Sequence, residues 1–221
     1  MGTAGDRIIA MHFVNRREAG KRLAEALRTY RGGKTVVYAL PRGGVPVGFE
    51  VAKELGAPLD LIISRKIGHP HYPEYAVCAV TEDGDLVCDE AERASLEPAW
   101  LEGAVEHGRA EAKRRREVYL AGRKHISARG RKAIVVDDGI ATGLTMRAAL
   151  QSLRKEHPKQ LVAAVPVAPH DVVETLRSEA DAVVVLEGAE HYLGAVGAYY
   201  DDFSQVTDGE VAKLLGRTPS A

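Results

Sequence analysis

Short, continuous apolar runs alternate along this chain with longer stretches whose apolar residues recur every three or four positions. The runs TVVYAL (35–40), LDLIISR (59–65), AIVV (133–136), LVAAVPV (161–167) and AVVVLE (182–187) lack a polar face and predict buried strands. Residues 45–55, 144–156 and 170–179 lie between these runs and carry helical spacing. Ahead of the first strand, Asn15 is placed to cap a helix over 15–31, with Ala19, Leu23, Ala26, Leu27 and Tyr30 on one face and Gly32-Gly33 ending it. AVCAVTEDGDLVCDE (76–90) predicts a β-hairpin about Asp83-Gly84. KIGHPHYPEY (66–75), with two prolines, predicts an irregular stretch, and 97–121 one long charged helix. Continuously apolar strands joined by helices belong in a mostly parallel sheet covered on both faces. The fold class expected is therefore α/β, doubly wound, as one domain with a core over about 34–187 and extra material at the hairpin and both termini.

Sheets of this kind bind ligands beyond the carboxyl ends of their strands. The first strand ends in PRGG (41–44), the second in SRKIG (64–68) and the third in DDGIATGLT (137–145). An ordinary strand-to-helix turn needs one glycine, yet the third loop has Gly139, Ala141 and Gly143 with Thr142 and Thr145 among them. So little bulk suggests a close approach of backbone to ligand. The helix that follows offers free N–H groups and a positive dipole end to a phosphate. Arg42, Arg65 and Lys66 can neutralise further phosphate charge. Asp137 and Asp138 would repel phosphate and suit sugar hydroxyls or a divalent cation. A phosphorylated sugar with a second anionic group satisfies every piece.

These residues carry a resemblance. AIVVDDGIATGLT (133–145) is similar to the motif that binds phosphoribosyl pyrophosphate in type I phosphoribosyltransferases, and ALPRGGVPVGFEVAKELGAPLDLIISRK (39–66) resembles the first half of the same fold. Together with FVNRREAGKRLAEAL (13–27), the chain looks most like bacterial stand-alone predicted phosphoribosyltransferases whose acceptor is unsettled. The resemblance implies a five-stranded sheet of order 2-1-3-4-5, with a hairpin and long helix inserted and a small hood from the termini. It implies that Asp137 and Asp138 hold the ribose hydroxyls and that Ile140, Ala141, Thr142, Gly143 and Thr145 wrap the 5′-phosphate, with Gly139 and Leu144 also among the residues that bind the sugar donor. Arg42, Gly43 and Gly44 would form the pyrophosphate loop, with Arg65 and Lys66 near the leaving group. Mg²⁺ would be chelated mainly by the ligand's own oxygens, near Asp137 and Asp138. The implied reaction is transfer of ribose 5-phosphate to a nitrogenous base with release of pyrophosphate, with Asp137, Asp138, Lys66 and Arg42 as the catalytic set. The alternative is a non-catalytic protein of the same fold that senses the sugar pyrophosphate or a nucleotide. In members that act on 6-oxopurines an aspartate precedes the loop's Thr-Gly; here that position is Ala141.

Composition changes this picture little. A net charge of −1 and 45% hydrophobic residues give no bulk reason for a nucleic-acid or membrane partner, and a cytoplasmic protein is expected. On that footing Cys78 and Cys88 are expected as free buried thiols. Residues 109–132 hold ten Lys/Arg and two Glu, expected as a solvated helix face with Glu111 and Arg115 as an i,i+4 pair. The alternative, a nucleic-acid surface, lacks interleaved aromatics beyond Tyr119. His69 and His71 have no third ligand at metal spacing, so GHPHYPEY (68–75) is expected as a mobile loop, the position of the lid in the resembling family. Tyr192, Tyr199, Tyr200 and Phe203 are hood candidates for acceptor stacking. The tail RTPSA (217–221) is expected to fray, and a homodimer is the default assembly. No Gly-Lys-Ser/Thr follows the third loop, which excludes a Walker site, and GGVPVG has the wrong spacing for a dinucleotide fingerprint. A receiver domain would place its acidic pair after the first strand.

Overall fold

The computed structural model describes residues 11–217; the last four residues of the expected frayed tail lie outside it. Strand β1 (Phe13–Asn15) leads directly into helix α1 (Arg16–Ala26), which Asn15 caps by accepting from the amides of Arg17 and Glu18. The central sheet then forms from β2 (Thr35–Ala39), β3 (Leu59–Leu61), β7 (Lys132–Val136), β8 (Gln160–Pro169) and β9 (Ala182–Ala189). All its pairings are parallel and its order is β3-β2-β7-β8-β9, the 2-1-3-4-5 topology expected. Helices α2 (Gly44–Leu55), α5 (Leu144–Arg154) and α6 (His170–Glu179) connect its strands. Side chains of β2 and β7 alternate between two apolar clusters, one holding Val37, Ile134 and α2 and the other Val36, Val135 and α5. That two-faced burial is why these strands are apolar throughout.

The inserted region departs from the expectation. The second apolar run splits: the chain leaves the central sheet after Leu61 and starts a separate antiparallel sheet at β4 (Ser64–His69). β4 pairs with β5 (Tyr72–Thr81), which turns at Gly84 (φ 96°) into β6 (Leu86–Cys88). The hairpin about Asp83-Gly84 is thus present. The expected irregular stretch around His69 and His71 is instead strand, tight turn and strand. The rings of those two histidines lie 5.7 Å apart, and the described residues form no cluster of three metal-ligating side chains. Cys78 and Cys88 sit opposite each other across β5 and β6 and form a disulfide, so the expected free thiols are corrected. Register is the physical reason: directly opposed strand positions bring their Cβ atoms within disulfide reach.

A short helix α3 (Glu90–Ser95) precedes the long helix α4 (Pro98–Leu120). Helix α4 lies on β4 and β5 through small residues, since a Cβ on Gly108 would meet Val80 at 2.9 Å and Ala112 is fully buried. One turn further on, Arg116 reaches inward. It donates to the Leu61 carbonyl at 2.8 Å and to Glu82 at 3.0 Å, and it approaches Asp60 at 3.3 Å. His125 bridges Asp60 and Glu156 at 3.0 and 2.7 Å, completing the buried network that clamps the helix to the core. The first and last parts of the described chain meet: β1 pairs in parallel with β10 (Tyr200–Asp202), and helix α7 (Asp208–Leu215) packs on α2 and α4.

Candidate active site

Three strand-end loops converge on a cavity of about 460 Å³, within the size range of small-molecule sites. Leu40 and Pro41 after β2 line one part, and Ser64, Arg65 and Lys66 at the start of β4 line another. Asp137 to Gly143, between β7 and α5, and Thr145 in the first turn of α5 form the floor. Helix α5 begins at Gly143, whose φ of 79° suits glycine, and no side chain caps its first amides. Uncapped amides at a helix start can donate to an anion.

The PRGG glycines have a reason the sequence did not show. A Cβ on Gly43 would collide with the Asp138 carboxylate, and one on Gly44 would lie 2.8 Å from the Val136 carbonyl oxygen. These glycines let the first loop press against the acidic pair, and neither lines the cavity. The Arg42 side chain turns toward Asp208 of α7, 3.6 Å away, and is absent from the cavity wall. Leu144 is buried against Ala79, Val87 and Ala148, so its side chain serves the core. Ala141 and Thr142 are exposed and line the cavity.

The acidic pair is held from both sides. Arg16, the first residue of α1, donates from Nε to Asp138 Oδ2 at 2.6 Å and from a terminal nitrogen to the Ser204 carbonyl at 2.8 Å. Its guanidinium also covers the Phe203 ring at 3.8 Å. The Tyr200 hydroxyl donates to the Asp138 carbonyl at 2.5 Å. Burial pushes both carboxyls up, with Asp137 raised well above the usual carboxylate range, further raised by Asp138 and opposed by Lys66. Arg16 opposes the rise at Asp138.

Of the four hood aromatics, Phe203 alone lines the cavity, joined there by Val196. Tyr199 is fully buried and accepts from the Leu193 amide at 3.0 Å, and Tyr200 packs between Phe13 and Phe203. Tyr192 stacks on Tyr199. These three pack behind Phe203 and Val196 and do not line the cavity. A Cβ on Gly139 would strike Val196, so this glycine lets the segment at Val196 approach the acidic loop.

Arg16 and Arg115 were not among the site residues expected from the sequence. Arg115 lies on α4, within the stretch expected to be a solvated face, and it lines the cavity while keeping the expected pair with Glu111 at 2.9 Å. Lys113, Arg114 and Glu117 are solvated as expected, whereas Arg115 and Arg116 are half-buried. The signal available was Gly108 and Ala112 at i,i+4 spacing, a stripe of small residues that marks the docked face.

Comparison with known proteins agrees with this geometry. The pattern of the phosphoribosyl transferase domain matches residues 14–202. Proteins from two strains of Mycobacterium tuberculosis, provisionally named phosphoribosyl transferases, are each 44% identical over 207 residues, covering 93% of this chain. The chain spans 46% of the length of these relatives. The crystal structure of TT1426 from Thermus thermophilus is 43% identical, covers 93% of this chain and 98% of its own, and superposes with a TM-score of 0.78. The family match extends from β1 through all five central strands to β10, and on that ground the chain belongs to the phosphoribosyl transferase domain family.

Proposed function

We propose that this protein transfers ribose 5-phosphate from phosphoribosyl pyrophosphate to a nitrogenous base, releasing pyrophosphate. One observation carries the reading: a single cavity joins an uncapped helix start, a buried carboxylate pair and a cationic edge at Arg65 and Lys66. A phosphorylated ribose with a diphosphate at its anomeric carbon has the matching sequence of groups. The amides at 139–143 and the Thr142 and Thr145 hydroxyls suit the 5′-phosphate. Asp137 and Asp138 suit the two ribose hydroxyls, accepting hydrogen bonds from them. Their proximity to the ring favours the positive charge that develops as the anomeric bond breaks. Lys66 and Arg65 favour the charge that collects on departing pyrophosphate.

The donor set fits Mg²⁺ held chiefly by the ligand. The described residues offer the Asp137–Asp138 pair but no three-residue cluster, and Mg²⁺ accepts few protein ligands when phosphate oxygens are present. When bound, Mg²⁺ would neutralise diphosphate charge. The acceptor would enter between the acidic loop and the hood, beside Phe203 and Val196. The test is incubation with phosphoribosyl pyrophosphate, Mg²⁺ and a panel of bases, following pyrophosphate release. Base-dependent release supports the transferase. Tight binding without release for any base supports the sensor reading, and no binding of either the sugar pyrophosphate or ribose 5-phosphate overturns both.

A further inference from the structure

The cationic edge of the cavity is built by two elements that a compact α/β core does not supply. Arg65 and Lys66 come from β4, and Arg115 from α4, both within the inserted region. Gly108 and Ala112 draw α4 against β4, and a Cβ on Gly108 would stand 3.9 Å from the Cβ of Arg65. The clamp of Arg116 on Leu61, Asp60 and Glu82 then fixes the place of the residue before it along the helix. Arg115 therefore reaches the cavity from a rigid support.

Its bonding leaves capacity for a ligand. Among the described residues, Arg115 makes one hydrogen bond, from Nε to Glu111. A guanidinium has five N–H donors, so the two terminal nitrogens still carry four. Neither Arg65 nor Lys66 has an ion pair within 4 Å among the described residues, and the two guanidiniums are near enough that Arg115, after burial, helps lower the pKa of Arg65, with Glu111 opposing it. Like charges placed together at a cavity wall repel, and a dianionic group between them relieves that repulsion.

We propose that Arg115 binds the diphosphate end of the sugar donor, so that the inserted helix supplies part of the leaving-group site within the same chain. This rests on the donor assignment above. Arg115 is a binding residue, acting with Arg65 and Lys66 on phosphate oxygens that ribose 5-phosphate lacks.

The test measures binding of phosphoribosyl pyrophosphate with Mg²⁺, inorganic pyrophosphate with Mg²⁺, and ribose 5-phosphate by calorimetry. The proteins are the parent, Arg115→Gln, Arg115→Lys and, as a control on the same helix, Lys113→Gln. Loss of charge-assisted bonds should weaken both diphosphate ligands about 10- to 100-fold in Arg115→Gln. Ribose 5-phosphate should stay within about twofold, Arg115→Lys should recover part of the loss, and Lys113→Gln should match the parent. Diphosphate affinities within about twofold of the parent in Arg115→Gln would overturn this inference and leave the donor reading standing. Equal loss of all three ligands would also overturn it, placing Arg115 at the 5′-phosphate or in the fold. So would an effect confined to the KM of an anionic acceptor. A parent protein silent to phosphoribosyl pyrophosphate and to ribose 5-phosphate overturns the donor reading first, and this inference with it. Arg115→Lys keeps the question open to measurement should Arg115→Gln fold poorly.

Discussion

Replacing Arg16 with Met should destabilise the protein steeply at neutral pH, and by an amount that shrinks as the pH falls. The side chains of Arg16 and Asp138 are only 12% and 13% exposed. Removing one partner of a buried pair costs about 3–5 kcal/mol, because the other charge is left without compensation. Asp138 can limit this cost by taking up a proton. With an ordinary carboxyl pKa of about 3.9, protonation at pH 7 costs about 4 kcal/mol, at about 1.36 kcal/mol per pH unit. The Ser204 carbonyl also loses its donor, worth about 1 kcal/mol, while Met retains part of the packing on Phe203. The expected deficit is therefore about 3–5 kcal/mol at pH 7.

The sign of its pH dependence follows from linkage. In Arg16→Met the folded pKa of Asp138 lies above its unfolded value, so folding takes up a proton. The stability linked to that proton is fully present below the unfolded pKa and is lost as pH rises through the folded pKa. The deficit against the parent should therefore fall by up to about 1.4 kcal/mol per unit from pH 7 toward pH 5. Urea unfolding of the parent, Arg16→Met and Arg16→Met/Asp138→Asn at pH 5, 6 and 7 measures it. The double variant has no carboxylate to strand, so it should recover part of the deficit at pH 7. A deficit below about 1 kcal/mol at pH 7, or one that does not change with pH, would refute the buried-pair argument.

Three further outcomes are expected. Asp138→Asn should lower both ribose 5-phosphate affinity and turnover, whereas Lys66→Ala should slow pyrophosphate departure and leave ribose 5-phosphate binding nearly intact. Loss of that binding in Lys66→Ala would remove Lys66 from the leaving group. Guanine, hypoxanthine and xanthine should be poor acceptors beside adenine and orotate, since Ala141 cannot exchange a proton with the base and such help is worth about 10²–10⁴-fold. A kcat/KM above about 10⁴ M⁻¹s⁻¹ for any of these three would sink that reasoning. Thiol titration of protein unfolded without reductant should find no free Cys78 or Cys88. Cys88→Ser should lower stability by about 2–4 kcal/mol, and two titratable thiols in the parent would contradict the pairing.

What the amino-acid sequence determined by itself was what local rules encode. Continuous apolar runs marked the five central strands because both faces of each are buried, and Asn15 marked the start of α1 because its side-chain oxygen satisfies free amides two and three residues on. The small residues and paired carboxylates at 137–145 marked a candidate ligand loop, since room for close backbone approach and charge placement are written directly in residue type. Tertiary structure alone decided the partners of those residues. Arg16 meets Asp138 across 122 positions, and β1 meets β10 across nearly the whole described chain. Neither contact leaves a periodicity. Strand β5 leaves no signal in the sequence where it lies exposed from Tyr72 to Tyr75, because a solvated strand end carries no apolar alternation. Cys78 and Cys88 could be placed near one another from the hairpin, but only register set them directly opposite. Arg115 and Lys113 are alike as sequence, two cations in a basic run. The docking of Gly108 and Ala112 on β4 and β5 turns one toward the cavity and leaves the other in water, because helix packing selects a face and charge composition does not.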